Sequence, residues 1–212
     1  MMKWKVCGMR EAHNIEALGK LAPDFMGLIF YPPSSRYVAD DSLADWLRQR
    51  NTPPLVGVFV NASLEEVEEK IERFGLAYVQ LHGQESPAFC QAMKALGVGV
   101  IKVFSVGSQF DFQELQAFES HVDYFLFDTK GKLPGGNGVV FNWDILQEYQ
   151  GDTPFFLSGG IGLDQLARLQ AFSHPAFYGI DLNSKFELQP ALKNIDQLAL
   201  LKEALNLNRH EA

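Results

Sequence analysis

The chain is poor in cysteine. Of its 212 residues only Cys7 and Cys90 are cysteines, and neither a CxxC nor an HxxxH spacing occurs. Two distant cysteines do not make a disulfide framework, and the missing spacings predict no metal site. We therefore expect two free thiols in a reducing compartment, which favours a cytoplasmic protein.

Basic residues are also scarce. Lys and Arg together number 18 against 26 Asp and Glu, for a net charge of -8, and they form no cluster. Nucleic-acid binding relies on clustered cations that neutralise phosphates, so we expect no nucleic-acid partner. No apolar run approaches the roughly 20 residues that cross a bilayer, and the first residues lack the apolar segment of a signal peptide. No membrane partner is expected either.

Short apolar runs alternate with longer amphipathic segments along the whole chain, a pattern typical of repeated β/α units. We predict eight strands, at Trp4 to Cys7, Phe25 to Phe30, Leu55 to Val60, Ala77 to Leu81, Val98 to Phe104, Tyr124 to Phe127, Phe155 to Leu157 and Ala176 to Asp181. Helices are predicted at Leu43 to Arg50, Leu64 to Phe74, Pro87 to Leu96, Phe112 to Phe118, Leu163 to Ala171 and Ala191 to Leu205, with Ser63, Ser86 and Asp111 as N-caps.

Eight such units predict an α/β fold, a single-domain (β/α)8 TIM barrel spanning residues 1–212. The runs are apolar almost throughout, which suits parallel strands covered on both faces. An open doubly wound sheet is the alternative, but no GxGxxG follows the first strand. The active site of a barrel lies at the carboxyl ends of its strands. Almost every predicted strand ends there in polar or small residues, beginning with Cys7 and Gly8.

The residues at these strand ends resemble those of the phosphoribosylanthranilate isomerase family. The matching motifs occur in family order and cover essentially the whole chain. They are Lys5 to Gly8, Phe30 to Val38, Val56 to Asn61, Val79 to Gly83, Phe127 to Thr129 with Gly135 to Gly138, Leu157 to Ile161, and Gly179 to Asp181 near Glu187.

The resemblance implies an Amadori rearrangement, in which N-(5-phosphoribosyl)anthranilate becomes 1-(2-carboxyphenylamino)-1-deoxyribulose 5-phosphate. By similarity, Asp128 is the general acid that protonates the furanose oxygen, and Cys7 is the thiolate base that removes the C2 proton. These roles require the pKa of Cys7 to be lowered and that of Asp128 to be raised from their usual values. We expect Arg36 and apolar walls near the strand ends to supply these shifts.

The resemblance also implies a set of substrate-binding residues. Arg36 is expected to clamp the anthranilate carboxylate, because its guanidinium matches a carboxylate in a bidentate manner. His82 is either a structural histidine or a residue that lines the substrate. Gly159 and Gly160, with Asp181, Asn183 and Ser184 after the last strand, are expected to bind the substrate, the two glycines through its phosphate.

The last strand end departs from the family pattern. Many members have a glycine where this chain has Lys185, so we expect Asn183, Ser184 or the Lys185 ammonium to help bind phosphate. The glycine-rich segment 130–138 is interpreted either as a loop that folds over the ligand or as a disordered connector.

Two other kinds of function stay open. One is a different phosphosugar barrel enzyme, such as an indole-glycerol phosphate synthase or a ribulose-phosphate epimerase. The other is a non-catalytic barrel that binds a phosphorylated ligand, against which the presence of both Cys7 and Asp128 argues. The expected partner is a small phosphorylated substrate. The interpretation needs neither cofactor nor metal, and a monomer is the expected state.

Overall fold

The computed structural model describes residues 2–129 and 142–207. Its centre is a closed barrel of eight parallel strands, in which each strand pairs with the next along the chain and the first pairs with the last. The strands are β1 (Lys3–Val6), β2 (Phe25–Ile29), β3 (Leu55–Phe59), β4 (Tyr78–Leu81), β5 (Gly99–Val106), β6 (Tyr124–Thr129), β7 (Phe155–Leu157) and β8 (Phe177–Leu182). The predicted barrel fold is confirmed.

Helices cover the outside of the barrel. They are α1 (Ala12–Gly19), α2 (Ser42–Arg48), α3 (Leu64–Phe74), α4 (Pro87–Ala95), α5 (Leu166–Ala171) and α6 (Ile195–Ala204), with 3-10 helices at Phe112–Ala117, Glu119–His121, Trp143–Glu148, Leu163–Gln165 and Ser184–Phe186. The predicted bounds of α3 are confirmed. The helix has these bounds because Ser63 and Glu66 form a capping box at its start and Gly75, with φ of 63°, ends it.

The predicted helix at Phe112 to Phe118 is present as a 3-10 helix, Phe112–Ala117, and the Asp111 side chain caps it by accepting a hydrogen bond from Gln113 N. Helix α1 was missed, and the start of the last helix was wrong. The helix predicted from Ala191 begins only at Ile195, where the Asn194 side chain accepts a hydrogen bond from Gln197 N. The residues before it form a small antiparallel hairpin of β9 (Glu187–Gln189) and β10 (Leu192–Lys193).

An aromatic cluster closes the amino-terminal end of the barrel. Phe25, Tyr78, Tyr124, Phe156 and Tyr178 contact one another there, with ring centroids 4.6 to 6.5 Å apart. This packing fills the barrel interior with side chains. Access to the interior is therefore from the carboxyl ends of the strands.

Candidate active site

One cavity at the carboxyl ends of the strands, called here the mouth cavity, brings the predicted site residues together. Its walls come from β2, β3, β4, β6 and β8, and from the residues after β1, β2, β3, β4, β7 and β8. All nine residues expected from the sequence line it, namely Cys7, Arg36, His82, Asp128, Gly159, Gly160, Asp181, Asn183 and Ser184, and so does Lys185.

Cys7 follows directly after β1 and is buried. Its backbone N–H donates to the carbonyl of Leu182, which fixes the end of β1 beside β8. The thiol packs with Ile29 and Val58 and with the partly buried ring of Tyr31, and this apolar wall suits an aromatic ligand. Below it lies a buried ion pair between Lys5 Nζ and Asp181 Oδ1, 2.8 Å apart.

The expectation that its surroundings lower the pKa of Cys7 was wrong for the free protein. Burial raises the pKa of the thiol, and Asp181 adds to the rise, while the Lys5 and Lys193 ammonium groups oppose it. Taking the thiolate out of water is the larger effect here. The main opposing cations are Lys5 and Lys193, and Arg36 also interacts with the thiolate.

Asp128 lies inside β6 rather than after it, because β6 continues to Thr129 alongside the long strand β5. It is buried, and its Oδ1 accepts a hydrogen bond of 2.9 Å from Thr129 N. Gly159, with φ of +88°, packs against this carboxyl so closely that a β-carbon there would lie 2.9 Å from Oδ1. The loop after β7 thus holds the carboxyl in place.

His82 contacts Asp128 from the end of β4. Its Nε2 lies 3.5 Å from Asp128 Oδ2, and its Nδ1 lies 3.4 Å from Gln80 Nε2. Gln80 Oε1 and His82 Nε2 are buried and have no hydrogen-bond partner among the described residues. Catalytic hydrogen bonds are often long in unliganded enzymes, so this row of side chains is suited to tighten around a ligand.

Arg36 is engaged by a carboxylate of the chain itself. Its Nε and Nη2 donate to the two oxygens of Glu187, at 2.8 and 2.6 Å, whereas Nη1 has no hydrogen-bond partner within residues 2–129 and 142–207. Arg36 and Lys193 together hold the pKa of Glu187 below its usual value despite burial. A ligand carboxylate must therefore use Nη1 or compete with Glu187.

The loops after β7 and β8 form the side of the mouth cavity where phosphate is expected. Gly159 and Gly160 have φ of +88° and +69°, a conformation that bares their backbone and disfavours any side chain. Asn183 Oδ1 accepts a hydrogen bond from Lys193 Nζ at 2.8 Å, and Lys185 is exposed at the rim. The segment 130–138, expected to be a loop over the ligand or a disordered connector, lies outside the described residues.

Sequence reasoning missed four polar residues of the site: Lys5, Gln80, Glu187 as the partner of Arg36, and Lys193. Lys5 and Gln80 carried a signal, since each is polar within an otherwise apolar strand segment. Lys193 carried none, because it was placed inside a predicted helix. Within residues 2–129 and 142–207, no cluster of His, Cys, Asp and Glu could hold a metal ion, and no helix is long and apolar enough to cross a membrane.

Fold and site together define a (β/α)8-barrel enzyme with a thiol and a carboxyl in the wall of one cavity, beside an arginine and a glycine-rich loop. Residues 4–204 match the family described as N-(5'-phosphoribosyl)anthranilate (PRA) isomerase. The chain belongs to that family.

Individual relatives agree with this assignment. An N-(5'-phosphoribosyl)anthranilate isomerase of Phocaeicola vulgatus is 49% identical over 190 residues, which cover 90% of this chain and 91% of the relative. The crystal structure of phosphoribosyl anthranilate isomerase from Thermotoga maritima has a TM-score of 0.85 at 26% identity, and covers 98% of this chain and 100% of that one. Another structure of such an isomerase, in complex with reduced 1-(o-carboxyphenylamino)-1-deoxyribulose 5-phosphate, has a TM-score of 0.80 at 25% identity over the same shares.

Proposed function

We propose that Cys7 is the general base and Asp128 the general acid with which this isomerase of tryptophan biosynthesis catalyses the Amadori rearrangement of N-(5-phosphoribosyl)anthranilate. The observation that carries the proposal is the convergence of both residues on one cavity. The protonated Asp128 gives its proton to the furanose oxygen as the bond from that oxygen to C1 breaks. The anilino nitrogen lone pair forms the iminium that results.

The Cys7 thiolate then removes the proton from C2, and the electron pair of the C–H bond neutralises the iminium. The product of this step is an enolamine, which tautomerises to the ketone. After one turnover Cys7 is a thiol and Asp128 a carboxylate, so both exchange protons before the next cycle. The loss of charge on the iminium occurs beside the apolar wall of Ile29 and Val58, where water does not compete.

Substrate binding follows from the same cavity. We place the anthranilate ring against the wall of Ile29, Val58 and Tyr31 with its carboxylate toward Arg36. The phosphate then lies between Gly159 and Gly160 on one side and Ser184 on the other, where backbone N–H groups bind an anion. Lys185 is the nearest candidate for a further charge, and a Lys185→Ala variant with unchanged KM would rule out its ammonium.

Turnover of substrate generated in situ, followed by the loss of anthranilate-type fluorescence, tests the catalytic roles. Cys7→Ser and Asp128→Ala should each lose at least about a hundredfold in kcat, the usual contribution of a general acid or base. Cys90→Ala is the matched control, because Cys90 is a buried thiol of α4 that does not line the mouth cavity. Wild type without turnover would refute the activity, and full activity in both variants would refute the roles.

We also propose that the chain acts as a monomer and as one domain over 1–212. Every residue assigned to the reaction comes from a single chain, and a lone barrel needs no partner to complete it. Light scattering of the purified protein tests this state. A cytoplasmic location is proposed on the chemistry of Cys7 and Cys90, which are both free thiols.

A further inference from the structure

We propose that Lys193 is a positioning residue that joins the carboxylate clamp to the catalytic thiol: it holds Glu187 and Asn183 in place and sets a buried positive charge beside Cys7. The inference rests on the proposed function of Cys7 and deepens it. Lys193 lies on the hairpin of β9 and β10, outside the eight-stranded barrel.

Two hydrogen bonds with the Asn14 side chain fix the backbone of Lys193. Lys193 N donates to Asn14 Oδ1 at 2.7 Å, and Asn14 Nδ2 donates back to the Lys193 carbonyl at 3.0 Å. Both residues are buried, and Asn14 belongs to α1, so the hairpin is fixed to the first helix. These two bonds point the Lys193 side chain inward, where only 1% of the residue is exposed.

The ammonium group meets polar atoms of the mouth cavity. Lys193 Nζ donates to Asn183 Oδ1 at 2.8 Å and to Glu187 Oε1 at 2.5 Å. Glu187 uses the same oxygen to accept from Arg36 Nε. One carboxylate is therefore shared between two cations, and losing either cation changes how tightly it holds the other.

The same ammonium lies next to the end of β1. A β-carbon built on Gly8, the neighbour of Cys7, would lie 3.4 Å from Lys193 Nζ and 2.9 Å from Asn183 Oδ1. The charged groups that act on Cys7 are Lys5 from β1, Asp181 from β8, Lys193 from β10 and Arg36 from the loop after β2. Lys5 and Lys193 are the two ammonium groups that oppose the effect of burial on the pKa of Cys7, and each is also paired with a carboxylate, Lys5 with Asp181 and Lys193 with Glu187.

Lys102 provides an internal comparison. It is also buried, and its ammonium binds Glu85 at 2.9 Å and the carbonyls of Leu81 and Gly83. Lys102 does not line the mouth cavity, and its ammonium is held by Glu85 rather than by Asn183 and Glu187. Removing its charge should therefore destabilise the protein without changing the thiol.

The rate of Cys7 alkylation by iodoacetamide against pH tests the proposal without turnover. In a Cys90→Ala background only Cys7 can react. Lys193→Gln keeps a hydrogen-bond donor but loses the charge, so the rate at pH 7 should fall about tenfold, since a nearby opposite charge shifts a pKa by one unit or more. Lys193→Arg should restore most of the rate, and Lys102→Gln should leave it within about twofold.

A milder variant covers the case in which Lys193→Gln does not fold. Asn14→Ala leaves the lysine present but releases its backbone, and should slow alkylation in the same direction by a smaller factor. In turnover, the pH at which kcat/KM rises with thiolate formation should move upward in both variants. Unchanged alkylation in folded Lys193→Gln and Asn14→Ala would overturn the role of Lys193. A fully active Cys7→Ser would instead overturn the role of Cys7 as the base, whatever the alkylation results.

Discussion

Gly27 of β2 lies directly against Cys7. A β-carbon built on Gly27 would lie 2.7 Å from the Cys7 Sγ and 3.0 Å from its Cα. No side chain fits there unless the thiol moves. Because Gly27 has no side chain, the neighbouring strand leaves the space that the thiol of the proposed base occupies.

Gly27→Ala should therefore reduce kcat by about a hundredfold, the cost of displacing a catalytic group by about 1 Å. Overpacking should also lower the free energy of unfolding by about 1 to 3 kcal/mol. Gly19→Ala is the control, because a β-carbon at Gly19 contacts nothing within 4 Å. Steady-state kinetics and urea unfolding measure both effects. Equal kcat in Gly27→Ala and wild type would show that the thiol has room to move.

Gly159→Ala should affect the proposed acid in the same way. The added β-carbon would lie 2.7 Å from Thr129 N and 2.9 Å from Asp128 Oδ1, so we expect kcat to fall by at least tenfold. Gly97→Ala is matched for backbone strain, since Gly97 has φ of +81° but open space around it. Backbone strain should cost both variants about 1 to 2 kcal/mol of stability. Gly159→Ala should lose more because of its close contacts, and only it should lose activity. Similar losses of activity in the two variants would argue that strain alone is responsible.

His82 and Gln80 should act on Asp128 as a unit. His82→Phe removes the group 3.5 Å from Asp128 Oδ2 and should lower kcat about tenfold, because this contact tightens, as Asp128 gives up its proton, into a hydrogen bond of about 1.5 kcal/mol to the carboxylate. Gln80→Leu should give a smaller loss, because it acts through His82. The double variant should lose no more than His82→Phe alone. Losses that multiply would show two independent roles.

Glu187→Gln should lower the free energy of unfolding at pH 7 by about 3 kcal/mol, because Arg36 and Lys193 are left without a counter-charge. The pKa of Glu187 is lowered in the folded state. Its contribution to stability is therefore present above the unfolded pKa, about 4.3, and is lost as the pH falls through the lower folded value. The difference from wild type should shrink in acid, as measured by urea unfolding between pH 7 and pH 3.

Asp45→Asn is the control for that experiment. Asp45 makes the same two-bond contact with Arg73, but its side chain is 58% exposed. An exposed pair contributes about 1 kcal/mol or less, so this variant should change little. Equal destabilisation by Asp45→Asn and Glu187→Gln would contradict the importance we assign to burial.

Most residues that line the mouth cavity could be predicted, because the end of a strand can be recognised in the sequence. Cys7, His82 and Gly159 stand where an apolar run stops, and parallel strands bring such positions to one rim. Asp128 was found although it lies within β6, because the apolar run before it breaks at a carboxylate. The hairpin of β9 and β10 was missed, since its few residues carry no period-2 pattern and the helix signal of α6 extends into them.

The sequence by itself determined the barrel and the positions that face its mouth, because the spacing of apolar residues is a local property of the chain. Only the tertiary structure decided which charged side chains lie next to these positions. Lys193 is 186 positions from Cys7, and Glu187 is 151 positions from Arg36. Burial and such distant partners set the state of a thiol or a carboxylate, and neither is encoded in the residues next to it.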